Sequence, residues 1–257
     1  MITLGVDVGS LFTKGVLLQG DDMLASLVWD TTGNISREMD NFIDEIAKAA
    51  KISRSSIEAC VSTGTGDDLV QEADFTEDEV ACLAMATRVL IPDVELTVDI
   101  GGQSITNILS DPDGEVLNFM HNDKCASGSG RFIEVISDAL GVEMSNIDAT
   151  VNKAAKKIPV STQCAVFAES EIVSYVNEGE AVPDIITGVC EAVARIVVSQ
   201  TLRLGAVNKF TVTGGVARIQ GVTGVLDERI PGEYIPFPID PELAGAYGAA
   251  LLAQMEE

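Results

Sequence analysis

The sequence predicts an α/β fold built from two equivalent halves. The first observation is an internal repeat: residues 7–18 read DVGSLFTKGVLL and residues 99–110 read DIGGQSITNILS, which align without a gap at an offset of 92. Each copy follows a strand-like run and ends in a turn, which is typical of a β-hairpin. Helical spacing of apolar or small residues appears elsewhere, as in the final segment PELAGAYGAALLAQM. Two similar hairpins this far apart indicate a duplicated fold.

The residues of the repeated hairpin indicate phosphate binding. Asp7 and Asp99 end their strands, where a carboxylate can hold magnesium or position an attacking water. Neighbouring glycines let backbone N–H groups approach phosphate oxygens closely. One copy alone would be typical of an ordinary tight turn, whereas two copies favour a phosphate site. Gln103 is a candidate for orienting the water. The predicted phosphate-binding residues are Gly9, Ser10, Thr13, Lys14, Gly101 and Gly102.

A third glycine site lies near the end of the chain. The run KFTVTGGVARIQGV passes from a strand through Gly214 and Gly215 toward a helix, and paired glycines leave room for a flat adenosine ring. The final small-residue segment suits either close helix packing with hinge motion or a plain closing helix. Neither a P-loop nor the Gly-x-Gly-x-x-Gly fingerprint of dinucleotide-binding folds is present in the sequence.

Composition restricts the partners. The chain has 257 residues, 46% of them hydrophobic, and a formal net charge of −24. Such acidity disfavours nucleic acid and anionic membranes, so we expect neither as a partner. The N-terminus has no basic region or cleavage site of a signal peptide, which predicts a cytoplasmic protein. The acidity itself fits either general solubility or a docking face for a basic partner.

The five cysteines are scattered, which does not describe a disulfide framework. No Cys-x-x-Cys is present and His121 is the single histidine, so a zinc site within one chain is not expected. Two of the cysteines, Cys125 and Cys164, stand in the distinctive segments NDKCASGSGRF (122–132) and STQCAVFAESEIVS (161–174). Each of these two cysteines precedes a helical pattern.

These features together resemble the acetate kinase/sugar kinase/Hsp70/actin superfamily. Within it, the two cysteine segments resemble the ATPase activators of 2-hydroxyacyl-CoA dehydratases and the ATPase subunits of benzoyl-CoA reductases. The resemblance implies duplicated ribonuclease H-like subdomains of the actin/Hsp70 type around a nucleotide cleft. It also implies ATP or ADP as ligand, with magnesium held by Asp7 and Asp99. The expected subdomains are residues 1–95 with 241–257, and residues 96–240, which carry the cluster cysteines.

The same resemblance implies a homodimer, or a pseudo-symmetric heterodimer, that holds one [4Fe–4S] cluster between its subunits, with Cys125 and Cys164 of each chain as ligands. A [4Fe–4S] cluster takes four thiolates, and two from each of two chains supply them. A cysteine before a helix lies in positive potential, which favours the thiolate. The remaining three cysteines are expected to be structural: Cys60, Cys82 and Cys190.

The resemblance implies that the ATPase passes a low-potential electron from the cluster to an iron–sulfur reductase or dehydratase. A ferredoxin- or flavodoxin-like protein is the implied donor. A small-molecule (sugar or acyl) kinase of the same superfamily is the alternative, and a regulatory nucleotide-binding module is a weaker one. The chain departs from the family pattern at Leu11, Asp67 and Leu83. These departures bear on which reductase the protein serves.

Overall fold

A computed structural model describes residues 1–122, 128–160 and 165–255. The chain divides into two compact units. Unit 1 comprises Met1–Thr97, Ser110–Leu117 and Phe237–Glu257, and unit 2 comprises Val98–Leu109 and Asn118–Pro236. The finer prediction, that these are two ATPase subdomains divided near residues 95 and 240, stays a prediction.

Ten strands and eight helices are described in these ranges. The strands are β1 (Ile2–Val8), β2 (Phe12–Gln19), β3 (Asp22–Asp30), β4 (Ala59–Thr63), β5 (Phe75–Thr76), β6 (Leu96–Ile100), β7 (Ile105–Ser110), β8 (Val116–Asn122), β9 (Lys209–Thr213) and β10 (Glu233–Tyr234). The helices are α1 (Ile35–Ala49), α2 (Glu79–Leu90), α3 (Gly130–Ala139), α4 (Ile147–Val151), α5 (Ala165–Asn177), α6 (Val182–Leu204), α7 (Gln220–Arg229) and α8 (Ala244–Leu252).

The predicted duplication is confirmed by the strand order of the two sheets. The first sheet has the order β3-β2-β1-β4-β5, and the second has the order β8-β7-β6-β9-β10. The two orders are the same when β1 to β5 of the first sheet are matched in turn with β6 to β10 of the second. Both repeated segments form the expected strand–turn–strand units, β1–β2 and β6–β7. In the first sheet β1 is antiparallel to β2 and parallel to β4.

Hydrophobic spacing explains how α1 packs in unit 1. Its buried residues recur at intervals of three and four positions, which places them on one face of the helix. This face joins a core that includes Leu4, Val6 and Leu17 of the sheet. The ring of Phe42 on α1 also meets Trp29 of β3 edge-on, with ring centroids 5.3 Å apart.

Small residues explain how α8 packs in unit 1. A Cβ atom added at Gly5 of β1 would lie 2.0 Å from the carbonyl oxygen of Ala246. A Cβ atom added at Gly248 of α8 would lie 1.8 Å from the carbonyl oxygen of Cys82 in α2. These distances are far below van der Waals contact, so only glycine permits the backbones to approach this closely. The predicted C-terminal helix is thus confirmed, and every residue from Ala244 to Leu251 is buried.

Helix α6 is the central helix of unit 2. Its 23 residues are long and apolar enough, by length and composition alone, to cross a membrane. However, 56% of its most apolar window is buried within the protein, as in the core helix of a globular domain. The segment before α5 crosses α6 at Gly188, where an added Cβ atom would lie 1.8 Å from the carbonyl oxygen of Ile158. The buried carboxylate of Asp184 accepts the N–H groups of Ala155 and Lys156 and fixes this segment.

Candidate functional site

The turn between β1 and β2 holds an ion pair in unit 1. The N–H group of Gly9 donates to the carbonyl oxygen of Phe12 at 3.0 Å and closes the turn. Asp7 and Lys14 face each other across the two strands. Lys14 Nζ lies 2.9 Å from Asp7 Oδ2, and both side chains are more than four-fifths buried. A cation and a carboxylate are therefore held together at the carboxyl end of β1.

The turn between β6 and β7 has the same backbone bond in unit 2. The N–H group of Gly101 donates to the carbonyl oxygen of Ser104 at 3.0 Å, which matches the first turn at the offset of 92. Asp99 is buried, and its Oδ1 accepts the hydroxyl hydrogen of Thr213 at 2.8 Å. Thr106 occupies the position of Lys14 in the repeat, so the second turn has no lysine at this place.

A Thr-Gly pair at the end of β4 was missed by the sequence analysis. Gly64 has a φ of +88°, and a Cβ atom added to it would lie 2.5 Å from Asp7 Oδ1. Gly214, which follows β9, has a φ of +81°. A Cβ atom added to it would lie 2.4 Å from the carbonyl oxygen of Ile100. The signal is visible in the sequence, because ACVSTG and KFTVTG both end an apolar run on Thr-Gly. Each unit therefore pairs its aspartate turn with a Thr-Gly turn.

The start of α8 also borders Asp7. A Cβ atom added at Gly245 would lie 2.9 Å from Asp7 Oδ2. Gly64 and Gly245 thus approach the two oxygens of the same carboxylate. The sequence predicts close packing with hinge motion, or a plain closing helix, for the C-terminal segment, and no feature of its sequence indicates its contact with the Asp7 site.

The remaining predicted residues differ in exposure. Ser10, Gly102 and Gly215 are half-buried, and Gln103 is exposed in its turn. Thr13 is fully buried, and its hydroxyl oxygen lies 2.9 Å from that of Thr31. Its predicted contact with phosphate, like the roles of the other residues in this set, stays a prediction.

Two predicted nucleotide-binding turns converge on the start of α3 in unit 2. The N–H group of Gly130 donates to the carbonyl oxygen of Gly101 at 2.9 Å, and that of Arg131 donates to Gly102 at 2.8 Å. A Cβ atom added at Gly130 would lie 3.2 Å from a methyl group of Val216, beside the Gly214–Gly215 turn. The first turn of α3 is therefore attached to the phosphate turn and packs against the predicted adenosine turn.

The predicted cluster ligands, Cys125 and Cys164, lie outside the described residues. The predicted helices after them are present, since α3 begins at Gly130 and α5 at Ala165. Cys60, Cys82 and Cys190 are buried, and burial raises the pKa of each thiol to about 12. Such burial disfavours the thiolate that an iron ligand requires. Within residues 1–122, 128–160 and 165–255, no group of three or more His, Cys, Asp or Glu residues forms a metal-binding cluster.

These groups define what each unit offers to a ligand. Asp7 and Asp99 are carboxylates at strand ends, and carboxylate oxygens are suitable ligands for hydrated Mg²⁺. The N–H groups of Gly9 and Gly101 close their turns, so the backbone around these glycines, rather than these two N–H groups, is what each turn offers to phosphate oxygens. Lys14 is the cation that the first turn adds. The donor set in each unit therefore fits a magnesium-bound polyphosphate.

Comparison with known proteins identifies the family. Residues 4–253 match the model of the BadF/BadG/BcrA/BcrD ATPase family. The chain belongs to this family. The (R)-2-hydroxyglutaryl-CoA dehydratase activating ATPase of Acidaminococcus fermentans is 36% identical over 254 residues, which cover 98% of this chain and 96% of that protein. The resemblance inferred from the two cysteine segments is thus confirmed.

Solved structures of similar proteins have the same fold. The activator of 2-hydroxyisocaproyl-CoA dehydratase from Clostridium difficile, determined with bound ADPNP, is 35% identical and superposes with a TM-score of 0.92. The match covers 98% of this chain and 94% of that one. A ROK family glucokinase from Streptomyces griseus gives a TM-score of 0.59 at 13% identity, which shows a shared fold only. The predicted fold class is confirmed.

Proposed function

We propose that this protein is an ATP-dependent activator that delivers a low-potential electron to a partner iron–sulfur dehydratase or reductase. Its membership of an ATPase family supports the ATPase activity. Two relatives named as activators, each at least 35% identical over nearly the whole chain, support the choice of a 2-hydroxyacyl-CoA dehydratase or a related reductase as partner.

In this proposal the two aspartate turns bind the magnesium–ATP complex. Asp7 and Asp99 hold the magnesium ion and position the attacking water, which Gln103 orients. The backbone of Gly9, Ser10, Gly101 and Gly102 binds phosphate oxygens, together with Lys14 and the Thr13 hydroxyl. Gly214 and Gly215 face the adenosine. The Asp7–Lys14 pair in unit 1 and the left-handed backbone at Gly214 in unit 2 support these roles.

The observation that carries the proposal is the attachment of α3 to the Gly101–Gly102 turn. Two backbone hydrogen bonds join this turn to Gly130 and Arg131. Gly130 follows Cys125 by five residues in the chain. A change at the phosphate turn on ATP binding or hydrolysis therefore acts directly on the helix that follows a proposed cluster ligand. Gamma-phosphate contacts that bias a two-state element are an established way to couple hydrolysis to motion.

The proposed cluster ligands are Cys125 and Cys164 from each of two copies. Four thiolates satisfy a [4Fe–4S] cluster, which supplies one-electron redox chemistry when it is bound. The three buried thiols, with pKa values raised to about 12, are poor alternatives. Each Cys→Ser change at 125 or 164 removes two of the four ligands, because both chains of a homodimer carry it.

We infer further that a ferredoxin- or flavodoxin-like protein supplies the electron and that the protein acts in the cytoplasm. ATP binding turns α3 and α5 relative to each other within unit 2, which opens the cluster-bearing surface to the acceptor enzyme. Hydrolysis then resets this arrangement.

Iron and sulfide analysis of anaerobically purified protein tests the cluster. We expect close to four of each per dimer, no cluster in Cys125→Ser or Cys164→Ser, and retained nucleotide binding in both variants. Cys60→Ser, Cys82→Ser and Cys190→Ser are the controls and should keep their iron. Four irons per monomer, or an intact cluster in Cys125→Ser, would refute the shared site. An ATP-dependent phosphorylation of a sugar or acyl substrate would establish the kinase alternative.

Coupling through α3 has a separate test. In Gly130→Val, the branched side chain must displace the Gly101 carbonyl group or Val216, both already 3.2 Å from an added Cβ atom. We expect a cluster of normal iron content whose rate of iron loss to a chelator no longer depends on ATP. The control is Gly224→Val on α7, where no atom lies within 4 Å of the added Cβ. An unchanged ATP effect in Gly130→Val would contradict the coupling route.

A further inference from the structure

The acidic charge of the chain is distributed unevenly. Unit 1 contains 25 acidic and 6 basic residues, whereas unit 2 contains 15 acidic and 10 basic ones. Within unit 2, residues 149–168 contain three lysines and no acidic residue. With 40 acidic residues in 257, a stretch of this length would on average contain about three of them. This segment is therefore a basic region in a strongly acidic protein.

The structure fixes the backbone that carries Lys156 and Lys157 against α6 in unit 2. The backbone of Ala155 and Lys156 is held by the buried carboxylate of Asp184. Five residues further along the chain, the carbonyl oxygen of Val160 accepts a hydrogen bond from the Arg195 guanidinium at 3.3 Å. The segment thus follows α6 from Asp184 to Arg195, a length of about 16 Å at 1.5 Å per helical residue.

Four exposed cations border this path, and we call them the cationic strip: Lys153, Lys156, Lys157 and Arg195. Three acidic side chains partly balance it, and one of them is the buried Asp184 beside Lys156. Lys156 pairs with Glu180, and Lys157 pairs with Glu191 at 3.1 Å. Glu191 also pairs with Arg229, so one carboxylate is shared between two cations. The strip therefore keeps an excess of positive charge at its surface.

The cationic strip lies close to Cys164 in the chain. The backbone contact at Val160 lies four residues before Cys164 in the chain. An acidic protein is repelled by a molecule of net charge −24 at long range, and a local cationic surface selects where it can approach. Charge complementarity thus favours an acidic partner on this strip over a basic one.

We propose that the cationic strip is the docking surface for the acidic face of the electron-donor protein. This proposal rests on the proposed function, because it assumes that the segment after the strip holds the cluster. In the step concerned, one electron leaves the reduced donor, which is oxidised, and enters the oxidised cluster, which is reduced. No bond is formed or broken.

The test is stopped-flow reduction of the oxidised, cluster-loaded protein by a reduced, acidic two-cluster ferredoxin. The variant is the triple change Lys153→Glu, Lys156→Glu and Lys157→Glu. The matched control changes three exposed cations of unit 1, Arg37→Glu, Lys48→Glu and Lys51→Glu, so both proteins reach a net charge of −30. Dithionite, a small reductant that needs no docking surface, is used in parallel on every protein.

We expect the second-order rate constant with ferredoxin at low salt to fall at least tenfold in the strip variant and less than threefold in the control. The salt dependence of the rate is a second readout. Because the strip variant retains only repulsion, its rate should rise more steeply with salt than the rates of the wild type and the control, and the rates should converge at high salt, where attraction and repulsion are both screened. A variant with Lys153, Lys156 and Lys157 all changed to Gln avoids the new repulsion with Glu191. Its rate constant with ferredoxin at low salt should also fall, but by less than in the Lys→Glu variant.

The outcomes separate the two proposals. Equal slowing in both charge-reversed proteins, or the same salt dependence in both, would overturn the docking surface while leaving the activator function intact. If dithionite also reduced the strip variant slowly, the cluster of that variant would be damaged, and the Lys→Gln variant would decide the test. An unchanged rate with ferredoxin in a Lys→Gln protein that dithionite reduces normally would overturn the docking surface. A wild-type protein that binds no reducible cluster would overturn the proposed function and the docking surface together.

Discussion

Asp7 and Asp99 occupy the same position in two copies of one hairpin, but their carboxylates have different partners. Asp7 is paired with Lys14, while Asp99 accepts the hydroxyl hydrogen of Thr213. The difference follows from the sequence, because the residue in the place of Lys14 is Thr106 in the second copy. One unit therefore adds a cation at its aspartate, and the other ties its aspartate to the strand that leads to the Gly214 turn.

Both aspartates are expected to be essential for ATP hydrolysis. We expect Asp7→Ala and Asp99→Ala each to lower the turnover number by about a hundredfold or more, the usual scale for loss of a group that stabilises developing charge. Magnesium-dependent phosphate release is the measurement. Asp113→Ala, on an exposed turn, is the control and should hydrolyse ATP normally. Normal turnover in either of the first two variants would remove that residue from the catalytic set.

Gly64 is expected to be needed for both stability and activity. Gly64→Ala forces a left-handed backbone on alanine and drives its methyl group into the Asp7 carboxylate, 2.5 Å away. Gly20→Ala is the matched control, because Gly20 also has a positive φ, +58°, but no atom lies within 4 Å of the added Cβ. Urea unfolding should show a loss larger by about 1–3 kcal/mol in Gly64→Ala, and its ATPase rate should fall. Equal losses in the two variants would mean that backbone strain alone matters here.

At the scale of single elements, glycine has opposite effects on two helices. In α8 the absence of a side chain at Gly248 permits contact with the backbone of α2, whereas Gly224 of α7 is exposed and has no neighbour there. A glycine without a packing role only weakens its helix, by roughly 0.5–1 kcal/mol relative to alanine. The same substitution should therefore change stability in opposite directions at the two positions.

We expect Gly248→Ala to lower the free energy of unfolding by about 2 kcal/mol or more, because the added methyl group meets the Cys82 carbonyl oxygen at 1.8 Å. Gly224→Ala should raise the free energy of unfolding by up to about 1 kcal/mol. Chemical denaturation of both variants beside the wild type measures the two effects. If Gly248→Ala were neutral, the close approach of α8 to α2 would not be required by the fold.

At the scale of the whole molecule, three buried thiols make stability depend on alkaline pH. Burial raises the pKa of Cys60, Cys82 and Cys190 from an ordinary value near 9.0 to about 12. Below pH 9 these thiols are protonated in both states, so their contribution to stability is complete. Between about pH 9 and pH 12 the unfolded chain loses these protons first, and stability falls by up to roughly 1.4 kcal/mol per pH unit for each thiol.

The unfolding free energy should therefore decrease more steeply above pH 9 in the wild type than in a variant with all three residues changed to alanine. Urea titrations at pH 8, 9 and 10 on both proteins provide the comparison. The difference in slope between the proteins is the relevant quantity, since other groups titrate equally in both. Parallel curves would show that these thiols do not titrate on unfolding.

Local sequence determined the features that depend on neighbouring residues. The repeated Asp-x-Gly hairpins, the Gly214–Gly215 turn and the helices after the two cysteine segments could all be predicted, because strand alternation, turn residues and helical spacing act over a few positions. The duplication was predictable for the same reason, since two short segments could be aligned directly. The cysteine segments also identified the family.

Only the tertiary structure decided which distant residues meet. Gly64 and Gly245 border the same Asp7 carboxylate although 181 positions separate them, and the start of α3 is bonded to the Gly101–Gly102 turn. Such contacts arise where parallel strands end side by side and where glycines let backbones approach, and no spacing rule along the chain encodes them. The cationic strip likewise exists only because Asp184 and Arg195 hold one segment along α6. The sequence by itself determined the chemical groups and their local turns, while folding determined their partners.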